Sequence, residues 1–220
     1  MQIIDNQEKF NNICKKLASE PVIFMDTEFH RRITYYAKLS VVQIASKEDK
    51  VIIDILAVTD LTALKELLLN QEVLKVFHAP LQDFEIFLNI FGKLPNNIFD
   101  TQIAAGVIGL DDVMGYSRLC QAMLNINLDK TMQKANWLER PLSKKLLDYA
   151  IKDVEYLIPL YRDLSRTISE RNLWDTYKTR SQKLLDVNSY KQTPERIMKK
   201  MRLQGVSEHF QKNHIARRPN

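Results

Sequence analysis

Residues 21–55 read PVIFMDTEFHRRITYYAKLSVVQIASKEDKVIIDI, and this stretch decides the fold. Pro21 breaks the chain after helix-like residues 6–18. The run from Val22 to Glu28 is then apolar, rich in strand formers, and ends on an acidic pair. Residues 39–45 (LSVVQIA) and 51–55 (VIIDI) are two more β-branched runs separated by the polar SKEDK, the pattern of a hairpin with a five-residue loop. A β-meander is therefore expected early in the chain.

Further along, residues 59–69 repeat leucine at helical spacing, with Thr59 or Asp60 as cap. Residues 74–78 predict a short strand, 81–91 a helix stopped by Gly92 and Pro95, and 97–100 another short strand. Helices are expected over 101–108, 116–124 and 173–185, and a crossing segment without periodicity over 128–141. The longest helical stretch is 142–171, capped by Ser143 and kinked by Pro159. A meander followed by alternating helices and strands, then by helices alone, predicts an α/β fold. Its mixed central sheet of about five strands should be covered by helices on both faces.

The chain has 220 residues, 45% hydrophobic and 27% charged, which excludes disorder and suits one full core with a modest appendage. No apolar stretch of roughly 18 residues is present, and the start MQIIDNQEKF lacks a signal-peptide pattern. No membrane association and a cytoplasmic location are therefore expected. Cys14 and Cys120 are too few for a disulfide framework and lack metal-ligand spacing. The net charge of +5 is concentrated in 193–220, which holds seven basic residues against Glu195 and Glu208, while the other 192 residues carry 25 charges of each sign. A basic extension on a neutral body suits a polyanion such as nucleic acid, and suits a solvated terminal segment as well. The expected division is 1–192 and 193–220.

Four acids carry the chemistry. Asp26 and Glu28 are i and i+2 on a predicted strand, so their side chains leave one face roughly 6.5–7 Å apart along the backbone, with Thr27 pointing away. Tyr149 and Asp153 are i and i+4 on a predicted helix and share a face. An apolar stripe through Ala150, Val154, Leu157, Tyr161, Leu164 and Ile168 puts Asp153 at the border of the buried side. Asp83 falls in the first turn of the helix after residues 74–78. Phosphodiester hydrolysis needs an activated water and a counter-charge, which two divalent ions about 3.5–4 Å apart supply, and hard ions prefer carboxylate oxygens. Taken singly, each acid also fits a solvated strand end, an ion pair or a helix start. His78 fits a ligand, a substrate contact or a hydrogen-bonded structural histidine. Phe29 and His30 fit base stacking, and fit packing or surface roles equally.

Together the motifs resemble a known family. D-x-E at 26–28, HAPLQDFEIF at 78–87 and Y-x-x-x-D at 149–153 resemble the three motifs of DEDD-superfamily exonucleases in their tyrosine-bearing branch. The Thr-Tyr after the first motif, FDTQIAAGVIG, and Trp137 to Leu142 resemble ribonuclease D. The resemblance implies a ribonuclease H-like exonuclease domain that shortens RNA from its 3′ end and releases nucleoside 5′-monophosphates, with two Mg²⁺ or Mn²⁺ ions as cofactors. It implies that Asp26 bridges the ions, that Glu28 and Asp153 complete one site and that Asp83 serves the other. Tyr149 would orient the nucleophile, and Phe29 and His78 would touch the terminal nucleotide. The partners implied are RNA 3′ ends, single-stranded or tRNA-like, without an obligate protein partner. Longer members of the family continue into helical C-terminal RNA-binding domains, so this chain reads as a short form or as a piece of a longer one. A DNA exonuclease of the same superfamily and a catalytically silent nucleic-acid-binding scaffold are the competing readings.

Overall fold

The meander forms where the pattern puts it. Strands β2 (Val22–His30), β3 (Lys38–Ala45) and β4 (Lys50–Asp54) pair antiparallel. Ser46 closes the β3–β4 turn by donating its N–H to the Asp49 carbonyl at 2.8 Å and accepting the Asp49 N–H on Oγ at 3.1 Å. Beside β2, strands β5 (Leu74–Phe77) and β6 (Ile98–Asp100) add in parallel, and β1 (Gln2–Ile4) adds parallel to β4. Among the described residues the order β1-β4-β3-β2-β5-β6 makes six strands where about five were expected. The extra strand is three residues long and shows no alternation in the sequence; pairing with distant Val51–Ile53 defines it. The computed structural model describes residues 1–30, 37–129, 131–133 and 135–190.

Helices α1 (Gln7–Leu17), α2 (Thr62–Leu69), α3 (Leu81–Phe91), α4 (Thr101–Val107), α5 (Tyr116–Leu124), α6 (Lys144–Glu155), α7 (Leu157–Glu170) and α8 (Trp174–Ser181) cover both faces. Caps match residue type: Asn6 accepts the Lys9 N–H, Asp100 that of Gln102 and Ser143 that of Leu146. Gly92 ends α3 with φ of 70°, a conformation glycine adopts without penalty. The expected 142–171 helix is two helices, broken at Tyr156. Pro159 cannot donate to the Glu155 carbonyl and its ring crowds that oxygen, so α6 ends there. The buried stripe resumes on α7 as Leu157, Leu160, Leu164 and Ile168, with Tyr161 displaced to a half-buried position.

One face of the sheet carries two clusters. Phe24, Ala45 and Val76 pack with α4, α5 and α7, and further along the same face Val41 and Ile52 pack under Trp137, Leu146, Leu147 and Ala150. This is also the face of Asp26 and Glu28. No described helix is long and apolar enough to cross a membrane. The chain divides into the units Met1–Leu185 and Asp186–Asn220. In the second, Val187–Tyr190 forms a 3₁₀ turn. The expected 192/193 boundary, the basic extension and the Thr-Tyr after the first motif lie outside the described residues.

Candidate active site

The parallel strands β2, β5 and β6 end on the same side of the sheet, and the ends of β2 and β5 help to build a cleft of about 480 Å³. Asp26 and Glu28 enter it from β2, Tyr149 and Asp153 from α6, Asp83 from α3, and Phe29 and His78 from strand ends. His30, the last residue of β2, is half-buried and does not line it. Asp26, Glu28 and Asp153 each offer a carboxylate oxygen within 4.8 Å of the others.

Asp83 stands outside that triad. Its carboxylate accepts a hydrogen bond from the Thr27 hydroxyl, and Thr27 lies between Asp26 and Glu28 but points to the opposite face. The turn that delivers Asp83 is itself held. Ala79 has φ of 52°, rare for a residue with a Cβ, and its N–H donates to Asp100 Oδ1 at 2.9 Å. Asp100 in turn donates its own N–H to the Tyr177 hydroxyl at 2.8 Å, tying this turn to α8.

Electrostatics set these acids apart from ordinary surface carboxyls. Burial first, and then the charges of Asp83, Asp153 and Glu28, push Asp26 far above the usual carboxylate range. Burial and the charges of Asp153 and Asp83 raise Glu28 to about 9. Burial raises Asp153 to about 7 against the hydrogen bond from Tyr149, and Asp83 to about 6 against that from Thr27. Among the described residues no lysine or arginine pairs with any of the four. Hard oxygen donors crowded together without a protein cation fit a divalent ion, which would relieve both burial and repulsion.

A pH dependence follows. Because these acids keep protons in the folded chain that they release in the unfolded one, their contribution to metal-free stability is greatest at low pH. The contribution of Asp153 is complete below its ordinary 3.8 and lost as pH rises through about 7; that of Glu28 is complete below 4.5 and lost through about 9. In EDTA the melting temperature should fall between about pH 5 and pH 9, and Mn²⁺ should raise it most at the alkaline end, since ligands bind metal deprotonated. A calorimetric series in which EDTA and Mn²⁺ samples run parallel would defeat this reading.

Tyr149 lies with its ring 6.1 Å from that of Trp137, and its hydroxyl bonds to Asp153. Burial and the charges of Asp153, Glu28 and Asp26 push the phenol upward, so it stays protonated. His78 is half-buried at the cleft wall. Thr101 Oγ1 donates to the Phe77 carbonyl at 3.1 Å, so the 2.9 Å contact with His78 is donated by Nδ1. Its ring leans on Tyr116 at 5.3 Å, and burial lowers it to about 4, leaving it neutral. Tyr116, Gly115 and Ser117 line the cleft without having been singled out, because nothing in the spacing around 115–117 distinguishes them from an ordinary helix start. Thr27 was missed as a partner because alternation alone places it on the far face.

Comparison with known proteins agrees with this geometry. The family model described as 3′-5′ exonuclease matches residues 1–169. A ribonuclease D from Sphingobium indicum is 37% identical over 203 residues, covering 91% of this chain and 52% of that protein. Among solved structures, Escherichia coli RNase D, described as an exoribonuclease involved in structured RNA processing, superimposes with a TM-score of 0.83 at 30% identity over 92% of this chain and 54% of that one. The catalytic core of RRP6 from Trypanosoma brucei shares the fold, with a TM-score of 0.80 at 24% identity. The chain spans about half the length of the curated relatives it matches. It belongs to the 3′-5′ exonuclease family, and the relatives it resembles within that family are ribonucleases D.

Proposed function

We propose that this chain is a divalent-cation-dependent 3′-to-5′ exoribonuclease of the cytoplasm, acting on RNA 3′ ends of the tRNA or other structured-RNA kind and releasing nucleoside 5′-monophosphates. The observation that carries the reading is the convergence of Asp26, Glu28 and Asp153 within 4.8 Å, in a cleft where Tyr149 bonds to Asp153. Asp26, Glu28 and Asp153 would hold one Mg²⁺ or Mn²⁺, and Asp26 with Asp83 a second. When bound, such ions supply a nucleophilic water at neutral pH and positive charge against the transition state.

The protein's own groups do the rest. Tyr149 stays protonated, so it positions an attacking water by hydrogen bonding and does not act as the base. Asp153 and the Trp137 ring fix the phenol's direction. Phe29 offers an aromatic face at the cleft for a terminal base. His78 supports the cleft wall through Thr101 and Tyr116, and any substrate contact is through its neutral ring.

The test uses 5′-labelled single-stranded RNA and DNA of one sequence, each with Mn²⁺, Mg²⁺ or EDTA. A ladder shortening from the 3′ end on RNA, absent in EDTA, is expected. Degradation of the DNA with the RNA intact would overturn the substrate assignment. Tyr149→Phe should lower kcat by about 10²-fold while Mn²⁺ affinity, read by calorimetry, stays at the wild-type value.

A further inference from the structure

Gln43 is a buried polar side chain on the face of Asp26 that the site described so far does not use. It lies on β3 directly opposite Asp26 in the antiparallel register, with Ile52 of β4 opposite it on the other side. Directly opposed residues share a face, with Cβ atoms about 5 Å apart. Its neighbours there are apolar: Val41 and Ile52 pack under Trp137, Leu146 and Ala150. Gln43 is 0% exposed, and neither its Oε1 nor its Nε2 has a hydrogen-bonding partner among the described residues. A buried amide without partners lowers stability, and a leucine or methionine would fill the same volume without that cost.

The position of the amide suggests what it serves. An ionised carboxylate accepts at about four lone-pair sites, and Asp26 takes one donor from the Thr27 N–H. The sites turned toward Glu28 and Asp153 belong to the cluster. A glutamine one strand away has the reach to serve another. We propose that Gln43 is a positioning residue for Asp26, its Nε2–H the donor that fixes the carboxylate when the site holds its cations. The inference rests on the metal-dependent reading above and adds to it the residue that orients its central ligand.

Gln43→Met and Gln43→Leu remove the amide and keep an apolar side chain. Mn²⁺ affinity by calorimetry should fall about 10-fold, in the range usual for groups that orient a ligand from behind. The metal-free melting temperature should stay level or rise, and kcat should fall with KM for RNA unchanged. A general packing role predicts the reverse pairing of signs. Mn²⁺ affinity within about twofold of wild type in either variant would overturn the proposal. So would a lowered metal-free melting temperature or failure to fold, because the amide would then have structural partners. If the wild type itself takes up no Mn²⁺, the metal-dependent reading fails and takes this one with it; if only the variants match wild type, this one fails alone.

Discussion

Asp26→Asn should abolish most 3′-end shortening, by roughly 10³-fold or about 4 kcal/mol in transition-state stabilisation, and should at the same time raise the metal-free melting temperature at pH 8. The two effects have one origin. Asp26 is the acid on which burial and all three other carboxyls act together. Asparagine has nearly the same shape and no charge, so it removes a ligand and also removes the cost of burying an acid at that position beside three other carboxyls. Loss of activity with a matching loss of stability would indicate simple misfolding. Loss of activity with a gain in stability identifies a site that is stable only with its cations. The comparison belongs in EDTA for the melting curve and in Mn²⁺ for the rate, and an active Asp26→Asn protein would end the metal assignment.

The same residue shows how far sequence reasoning reached. Asp26 and Glu28 could be placed on one strand face because alternation has a period of two, and the antiparallel pairing of β2 with β3 keeps that face toward α6. Tyr149 and Asp153 could be paired because α6 is regular from Lys144 to Glu155. What escaped was non-local. The partnership of Thr27 with Asp83 crosses between elements far apart in the chain, and so does the clasp of Ala79 by Asp100. Strand β1 exists only through its pairing with β4. The end of α6 is a local event that was read too gently: Pro159 separates two helices and does not merely bend one. His78 illustrates a different limit. Its type and place fit substrate contact, and spacing alone could not show that its Nδ1 meets Thr101 and its ring leans on Tyr116 at the cleft wall.

Arg140→Met should be the most damaging single change away from the acids, costing about 3 kcal/mol and so lowering the melting temperature by roughly 6–12 °C for a unit of this size. Arg140 joins three parts of the fold. Its Nε and Nη2 grip the two oxygens of Asp54 on β4 at 2.6 and 2.7 Å, Nη1 meets the Trp137 carbonyl at 2.7 Å, and Nη2 meets Ser40 Oγ at 3.1 Å. Ser40 is where β3 carries an extra residue, since Glu28 pairs with Val41 and Phe29 with Leu39; its hydroxyl donates to the Trp137 carbonyl. The guanidinium thus fastens the crossing segment before α6 onto the sheet, and Trp137 in that segment supports the ring of Tyr149. Arg140→Lys should recover little, because an ammonium cannot make the forked contact with Asp54. Arg140→Met combined with Asp54→Leu should recover most of the stability, because an apolar pair leaves no buried charge behind. Turnover separates the two roles of the clamp. If the double variant regains its melting temperature but not its kcat, the forked contact also sets the position of Tyr149 through Trp137; recovery of both would confine Arg140 to holding the segment down.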